Sequence, residues 1–221
     1  MNGPAMTSLK TMKRCLAAAV LAFTAGAAAA GGLQSLEAFV KSAKSGRADF
    51  TQTVTAPPKE GEPARAKVSS GSFAFQRPGR FRFDYQKPFA QTIVADGETL
   101  WLYDADLNQV TERKQAQALG STPAALIASA PDLRALQADF TLADAPERDG
   151  LGWVKATPKD KEGQLQSVQI GFKGDALAAL EILDSFGQRS VLKFGQVEVN
   201  PALPAATFQF KPPAGADVVR Q

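Results

Sequence analysis

The sequence predicts a mainly β protein, an antiparallel sheet with a few short helices laid over one face. Three observations carry that reading. From Gly71 to Tyr85 aromatic residues fall at alternate positions, Phe73 and Phe75 on one strand and Phe81, Phe83 and Tyr85 on the next, the period of half-buried strands. Beyond Phe140 turn pairs recur at Asp149-Gly150, Glu162-Gly163, Lys173-Gly174 and Phe186-Gly187, a spacing of roughly 8 to 14 residues that suits a continuing meander. At Thr122-Pro123 the alternation stops, and a cap residue and a helix-starting proline introduce the apolar run Ala124–Ala128.

Residues 1–30 read as a secretory signal peptide. Lys10, Lys13 and Arg14 precede an apolar run from Cys15 that closes on Ala28-Ala29-Ala30, a small-residue cleavage site. The run is alanine-rich and short of the roughly 20 residues of a membrane span. Either Met1 or Met12 serves as its start, and Cys15 stands at the start of the apolar run, where a lipidation cysteine stands after it. Residues 31–221 then form one domain. Removing the leader takes away the only cysteine and changes 25 basic against 22 acidic residues to 22 against 22. That balance argues against nucleic acid, and stability rests on an ordinary core without disulfides.

In the mature chain Leu33, Leu36, Phe39, Val40 and Ala43 recur at helical spacing, with Ser35 as a cap near the start and Ser45-Gly46 as the end. A strand follows at Ala48 to Thr55, then an exposed loop through Pro57, Pro58, Gly61 and Pro63, then a strand from Ala66 to Gln76. Arg77-Pro78-Gly79 interrupts the ladder, because proline donates no N–H. Asp96-Gly97 marks a hairpin. Pro131-Asp132 starts a second short helix through Leu133 and Leu136. The later strands are expected at Trp153 to Thr157, Leu165 to Phe172, Leu177 to Leu183, Gln188 to Phe194 and Ala206 to Phe210.

The chain contains no histidine and the mature part no cysteine, which removes the usual general base, the thiol nucleophile and most zinc sites. Ser69, Ser70 and Ser72 beside Lys67 read as a strand's solvent face, and Asp104 and Asp106 as turn residues capping their own backbone. The expectation is therefore no catalysis, no metal and no cofactor. A hydrolase with an unrecognised site is one competing class. An outer-membrane β-barrel is another, opposed by the helices and by an ending in Val218-Val-Arg-Gln221 where such barrels close on an aromatic residue. Phe81, Phe83, Ile93 and Trp101 crowd adjacent strands, and the same pattern serves a closed core or a lidded pocket.

Phe50-Thr-Gln52, Arg77-Pro78, Asp96-Gly97, Thr99-Leu-Trp-Leu-Tyr103, Gln109-Val-Thr111 and Phe208-Gln-Phe-Lys-Pro-Pro213, in this order, resemble the periplasmic outer-membrane lipoprotein carrier family. The resemblance covers nearly all of the mature chain. It implies an unclosed antiparallel half-barrel sheet covered by short helices, an α lid, around a hydrophobic cavity for lipoprotein acyl chains. The implied partners are diacylated and triacylated lipoproteins, an inner-membrane ABC-type release complex and an outer-membrane receptor, for a monomer in the periplasm. Another lipid or glycolipid carrier, or a lipid-sensing envelope protein, shares that implied fold. The family's functional arginine falls on Arg77, whose bland reading is a solvated edge charge and whose planar fork of donors is expected instead to latch the lid segment at Ile127 and Ala128. The family's cavity positions fall on Leu36, Val40, Phe81, Phe83, Ile93 and Leu126, and Trp101, crowded beside them on adjacent strands, is expected to line the cavity too. The Pro57 to Pro63 insertion and the small Ala124 and Ala125 of the lid depart from the family pattern.

Overall fold

The computed structural model describes residues 31–58, 61, 63–118 and 130–221. The expected helix at Thr122-Pro123 and the residues Leu126, Ile127 and Ala128 lie outside them. Among the described residues the chain forms helix α1 (Gly32–Ser42), strands β1 (Ser45–Thr55), β2 (Ala66–Gln76), β3 (Arg80–Lys87), β4 (Gln91–Asp96), β5 (Thr99–Asp104) and β6 (Gln109–Lys114), and the single turn α2 (Gln115–Ala118). Helix α3 (Leu133–Asp139) leads into β7 (Phe140–Arg148), β8 (Leu151–Pro158), β9 (Leu165–Lys173), β10 (Ala176–Asp184), β11 (Arg189–Phe194), the short β12 (Glu198–Val199) and β13 (Asp217–Arg220).

One sheet runs β13-β6-β5-β4-β3-β2-β1-β11-β10-β9-β8-β7, with β12 beside β1, and its two end strands do not meet. Register places the apolar side chains on one face, since directly opposed residues share a face. Phe83 lies opposite Phe73 and Ile93, and Ile93 opposite Leu102. In the other half Leu180 lies opposite Leu192 and Ile170, and Ile170 opposite Val154. That face is concave. The Phe39 ring of α1 sits 6.0 Å from Phe75 on β2 and 5.9 Å from Phe172 on β9. Those strands stand four places apart in the sheet, about 19 Å if it were flat.

Helix α1 starts without the expected Ser35 cap. Ser35 is buried inside the helix, and the Leu33 N–H instead donates to Asp144 Oδ1 of β7 at 2.8 Å. The helix also ends at Ser42, before Ser45-Gly46, which open β1. Gly46 lies against the Phe75 ring, where a Cβ has no room. Helix α3 begins as its sequence suggests, with Asp132 Oδ1 accepting the Ala135 N–H at 2.9 Å.

The strand expected at Ala206 to Phe210 is absent. Residues Ala205–Phe208 form a 3-10 turn behind Pro204, in which the Thr207 N–H donates to Pro204 O at 2.9 Å and the Gln209 N–H to Ala206 O at 3.2 Å, local bonds in place of a ladder. This segment crosses the convex face, where Phe208 is buried and Phe210 packs 6.1 Å from Trp101 and 6.0 Å from Tyr103. The chain then adds β13 parallel to β6, a strand the sequence did not announce.

Candidate functional site

The concave face is lined with aromatic rings. Phe73 and Phe83 lie 4.4 Å apart, Phe50 packs edge-on to Phe83 at 5.4 Å and to Tyr85 at 5.0 Å, and Phe81 adjoins Phe83 at 6.3 Å. Alternation on β2 and β3 puts these rings on one side, and α1 roofs them with Leu36, Phe39 and Val40. Leu136 of α3 joins the same cluster. Four of the residues expected at a cavity, Leu36, Val40, Phe81 and Phe83, are buried together there, and Ile93 packs against them half-buried.

Trp101 departs from that expectation. It lies opposite Val94, which lies opposite Arg82, so its ring is on the convex face beneath Phe210. Its neighbours Leu100 and Leu102 are the β5 residues that share a face with Ala95 and Ile93. A one-residue step reverses the face of a strand residue, and composition does not mark the step.

Arg77 stands in the turn after β2 and reaches under α1. Its Nε donates to Ala43 O at the end of α1 at 2.9 Å, and its Nη1 donates to Ala130 O, just before α3, at 2.6 Å. The guanidinium also lies 5.3 Å from the Phe75 ring centroid and 5.8 Å from that of Phe39. Burial pushes its pKa down to about 10, so it remains a cation at neutral pH. Its Nη2 is buried without a hydrogen-bond partner among the described residues. A fork of donors with one prong unpaired is a strained arrangement, because desolvation is only partly offset. The accepting groups are backbone carbonyls, which carry no sequence signal.

Among the described residues, α1 packs closely on the sheet where Arg77 reaches under it. Leu36, Phe39, Arg77, Leu136, Ile170 and Phe172 are among the residues around a void of about 10 Å³. A larger groove of about 540 Å³ runs along α3, bordered by Ala130, Ala135, Ala138, Phe140 and Leu165. At one rim of the half-barrel Phe89, Leu107 and Phe186, on the β3–β4, β5–β6 and β10–β11 turns, are 68%, 71% and 73% exposed. The turn carrying Arg77 lies at the opposite rim, since each strand reverses direction.

The serines and acids considered above do not assemble into a reactive cluster. Asp104 Oδ1 accepts the Asp106 and Leu107 N–H groups at 3.1 Å, as a turn-capping residue does. Among the described residues no group of three metal-ligating side chains occurs, and no helix is long and apolar enough to cross a membrane.

An unclosed antiparallel half-barrel with an aromatic concave face under a helical roof thus defines the class. The family model described as "Outer membrane lipoprotein carrier protein LolA" matches residues 41–211. The outer-membrane lipoprotein carrier protein of Albidiferax ferrireducens is 70% identical over 205 residues, covering 91% of this chain and 96% of that one. The protein of the same description from Leptothrix cholodnii is 56% identical over 196 residues, 89% of each chain. A putative outer membrane lipoprotein-sorting protein domain from Vibrio parahaemolyticus superposes with a TM-score of 0.47 at 12% identity, over 80% of this chain and 94% of that one. The chain belongs to the LolA family.

Proposed function

We propose that this chain is a periplasmic carrier that takes lipoproteins from an inner-membrane ABC-type release complex, holds their acyl chains against the concave face, and passes them to an outer-membrane receptor. It works as a monomer, with no catalytic step. The observation that carries this reading is the Arg77 bridge, in which one side chain ties α1 and the segment before α3 over an aromatic sheet. Each methylene buried from water contributes about 0.8 kcal/mol, so lipid-anchored cargo crossing an aqueous compartment needs a protein surface that replaces membrane burial. It must also let go. In the empty state Arg77 holds the roof closed, and loading exchanges those bonds for acyl contact, so emptying regains them.

The test pairs release and delivery. Incubated with inner membranes bearing labelled lipoprotein, the wild-type protein yields a soluble one-to-one complex that transfers its label to outer membranes. Arg77→Leu accepts the cargo but transfers it at least about tenfold more slowly, because a hydrogen bond to a charged group is worth roughly 1.5 to 3 kcal/mol. Normal transfer by that variant would remove the latch. Failure of the wild-type protein to form any soluble lipoprotein complex, with binding of a glycolipid instead, would favour a carrier of another lipid.

A further inference from the structure

The concave face is not apolar throughout. Towards the rim that carries Phe89 and Leu107 it ends in a polar band crossing six neighbouring strands. Gln52 of β1 lies opposite Ser69 of β2, Tyr85 of β3 opposite Gln91 of β4, and Gln91 opposite Asp104 of β5. On the other side the Gln52 Nε2 donates to Ser190 Oγ of β11 at 2.6 Å, while the Tyr85 hydroxyl donates to Gln52 Oε1 at 2.8 Å. Ser190 is buried, and Gln52 and Tyr85 are half-buried. Immediately inward lie Phe50 and Phe83, both in ring contact with Tyr85. Outward lies a pocket of about 610 Å³ bordered by Gln52, Ser69, Tyr85, Gln91, Phe89 and Leu107.

This order, aromatic floor, polar band with a carboxylate only at its β5 end, apolar rim, matches the polarity profile of an acyl chain followed by its linkage to a head. The chemistry of the band narrows the linkage. Gln52 keeps a second amide hydrogen and Ser190 its hydroxyl hydrogen, neither of which takes part in the bonds above. Both suit a carbonyl oxygen. The band itself holds no lysine or arginine, Lys67 and Lys87 being exposed further out, and the carboxylate of Asp104 stands beside Gln91. An anionic carboxylate or phosphate at that level would be desolvated without a counter-charge, which is costly. Burial pushes the Tyr85 phenol up to about 12, so it stays a neutral donor that orients Gln52.

We infer that the Gln52–Tyr85–Ser190 band recognises the uncharged ester or amide carbonyls at the head of the acyl chains, and so sets how deep the cargo seats. This rests on the carrier reading and adds to it a choice between acyl linkages. Tyr85 acts as a positioning residue through Gln52.

The experiment measures binding of three ligands with matched chains: a diacylglyceryl-cysteine lipopeptide, its dialkyl ether analogue lacking both carbonyls, and palmitate. The wild-type protein is expected to prefer the diacyl lipopeptide to the ether by on the order of tenfold, the scale of one well-placed hydrogen bond, and to bind palmitate more weakly than the lipopeptide. Gln52→Leu and Ser190→Ala should collapse that preference towards unity while leaving ether affinity within about twofold. Tyr85→Phe should reduce the preference partly, with its circular dichroism unchanged. A phosphatidylethanolamine arm identifies the source: competition equal to the lipopeptide's supports recognition of any diacylglycerol, and weaker competition supports the lipoprotein anchor. Equal binding of ester and ether by the wild-type protein, or equal loss of both in the variants, overturns the inference. Binding of none of the ligands overturns the carrier reading instead.

Discussion

Glu181 shows how a single residue stabilises the convex face. Its carboxylate, only 11% exposed, meets Arg148 at 2.8 Å and Arg189 at 2.9 Å, joining β7 to β10 and β11. The Arg148 guanidinium also lies 3.9 Å from the Trp153 ring centroid. Desolvation alone would raise the Glu181 pKa, but the hydrogen bonds from Arg148 and Arg189 outweigh it and hold the carboxyl below its usual value. A depressed folded value means stability that is fully present above the unfolded pKa, about 4.3 for glutamate, and is lost as pH falls through the lower folded value. Glu181→Gln should therefore destabilise the protein by about 1 to 3 kcal/mol at pH 7. In urea titrations the difference from wild type should shrink steadily below about pH 4. A difference independent of pH would mean that packing, not charge, is lost.

Among the elements, α1 and α3 are short roofs whose ends decide their stability. Helix α1 is held at its start by Asp144 of β7 and at its end by Arg77 and by Asn200, whose Nδ2 donates to Ser42 O at 3.0 Å. Helix α3 has seven residues and one side-chain cap, Asp132. Isolated helices of that length do not persist in water, so loss of the cap frees the helix locally before it unfolds the domain. Asp132→Ala should cost about 1 kcal/mol and speed amide exchange in 133–139 more than in β9 or β10. Uniform acceleration through the sheet would contradict the idea that α3 opens as a separate unit.

For the whole molecule the unclosed sheet has two edges, and at one of them the chain covers β6 with a short four-residue strand of its own. β13 lies parallel on β6, from Asp217 opposite Gln109 to Arg220 opposite Glu112. Asn108 Nδ2 secures the preceding turn by donating to Gly215 O at 2.9 Å, and Arg220 pairs with Glu112 at 3.3 Å. An uncovered edge strand is a template for another chain. Truncation after Pro213 should leave the domain folded but raise self-association, seen by light scattering as a larger mean species than the full chain forms at the same concentration. A strictly monomeric truncated protein would show that β6 resists pairing without its cover.

Local pattern was enough for much of this molecule. Alternation fixed β2 and β3, since Ala66 to Gln76 is a strand with those bounds, and Pro131-Asp132 marked the start of α3. The glycine turns likewise separated Ala176–Asp184 as a strand despite its helix-forming alanines and leucines. Family membership too was legible, from short motifs whose order is preserved. Tertiary structure alone decided what depends on partners distant in sequence. It placed Trp101 on the convex face, gave the α1 cap to Asp144 more than a hundred residues away, turned the Ala206 to Phe210 segment into a strap, and added β13 to the edge. It also assembled the Gln52–Tyr85–Ser190 band from three strands. Periodicity reports which residues share a side of one element. Which carbonyl meets Arg77, and which face the C-terminal strap covers, are set by how elements pack, and no local spacing encodes that.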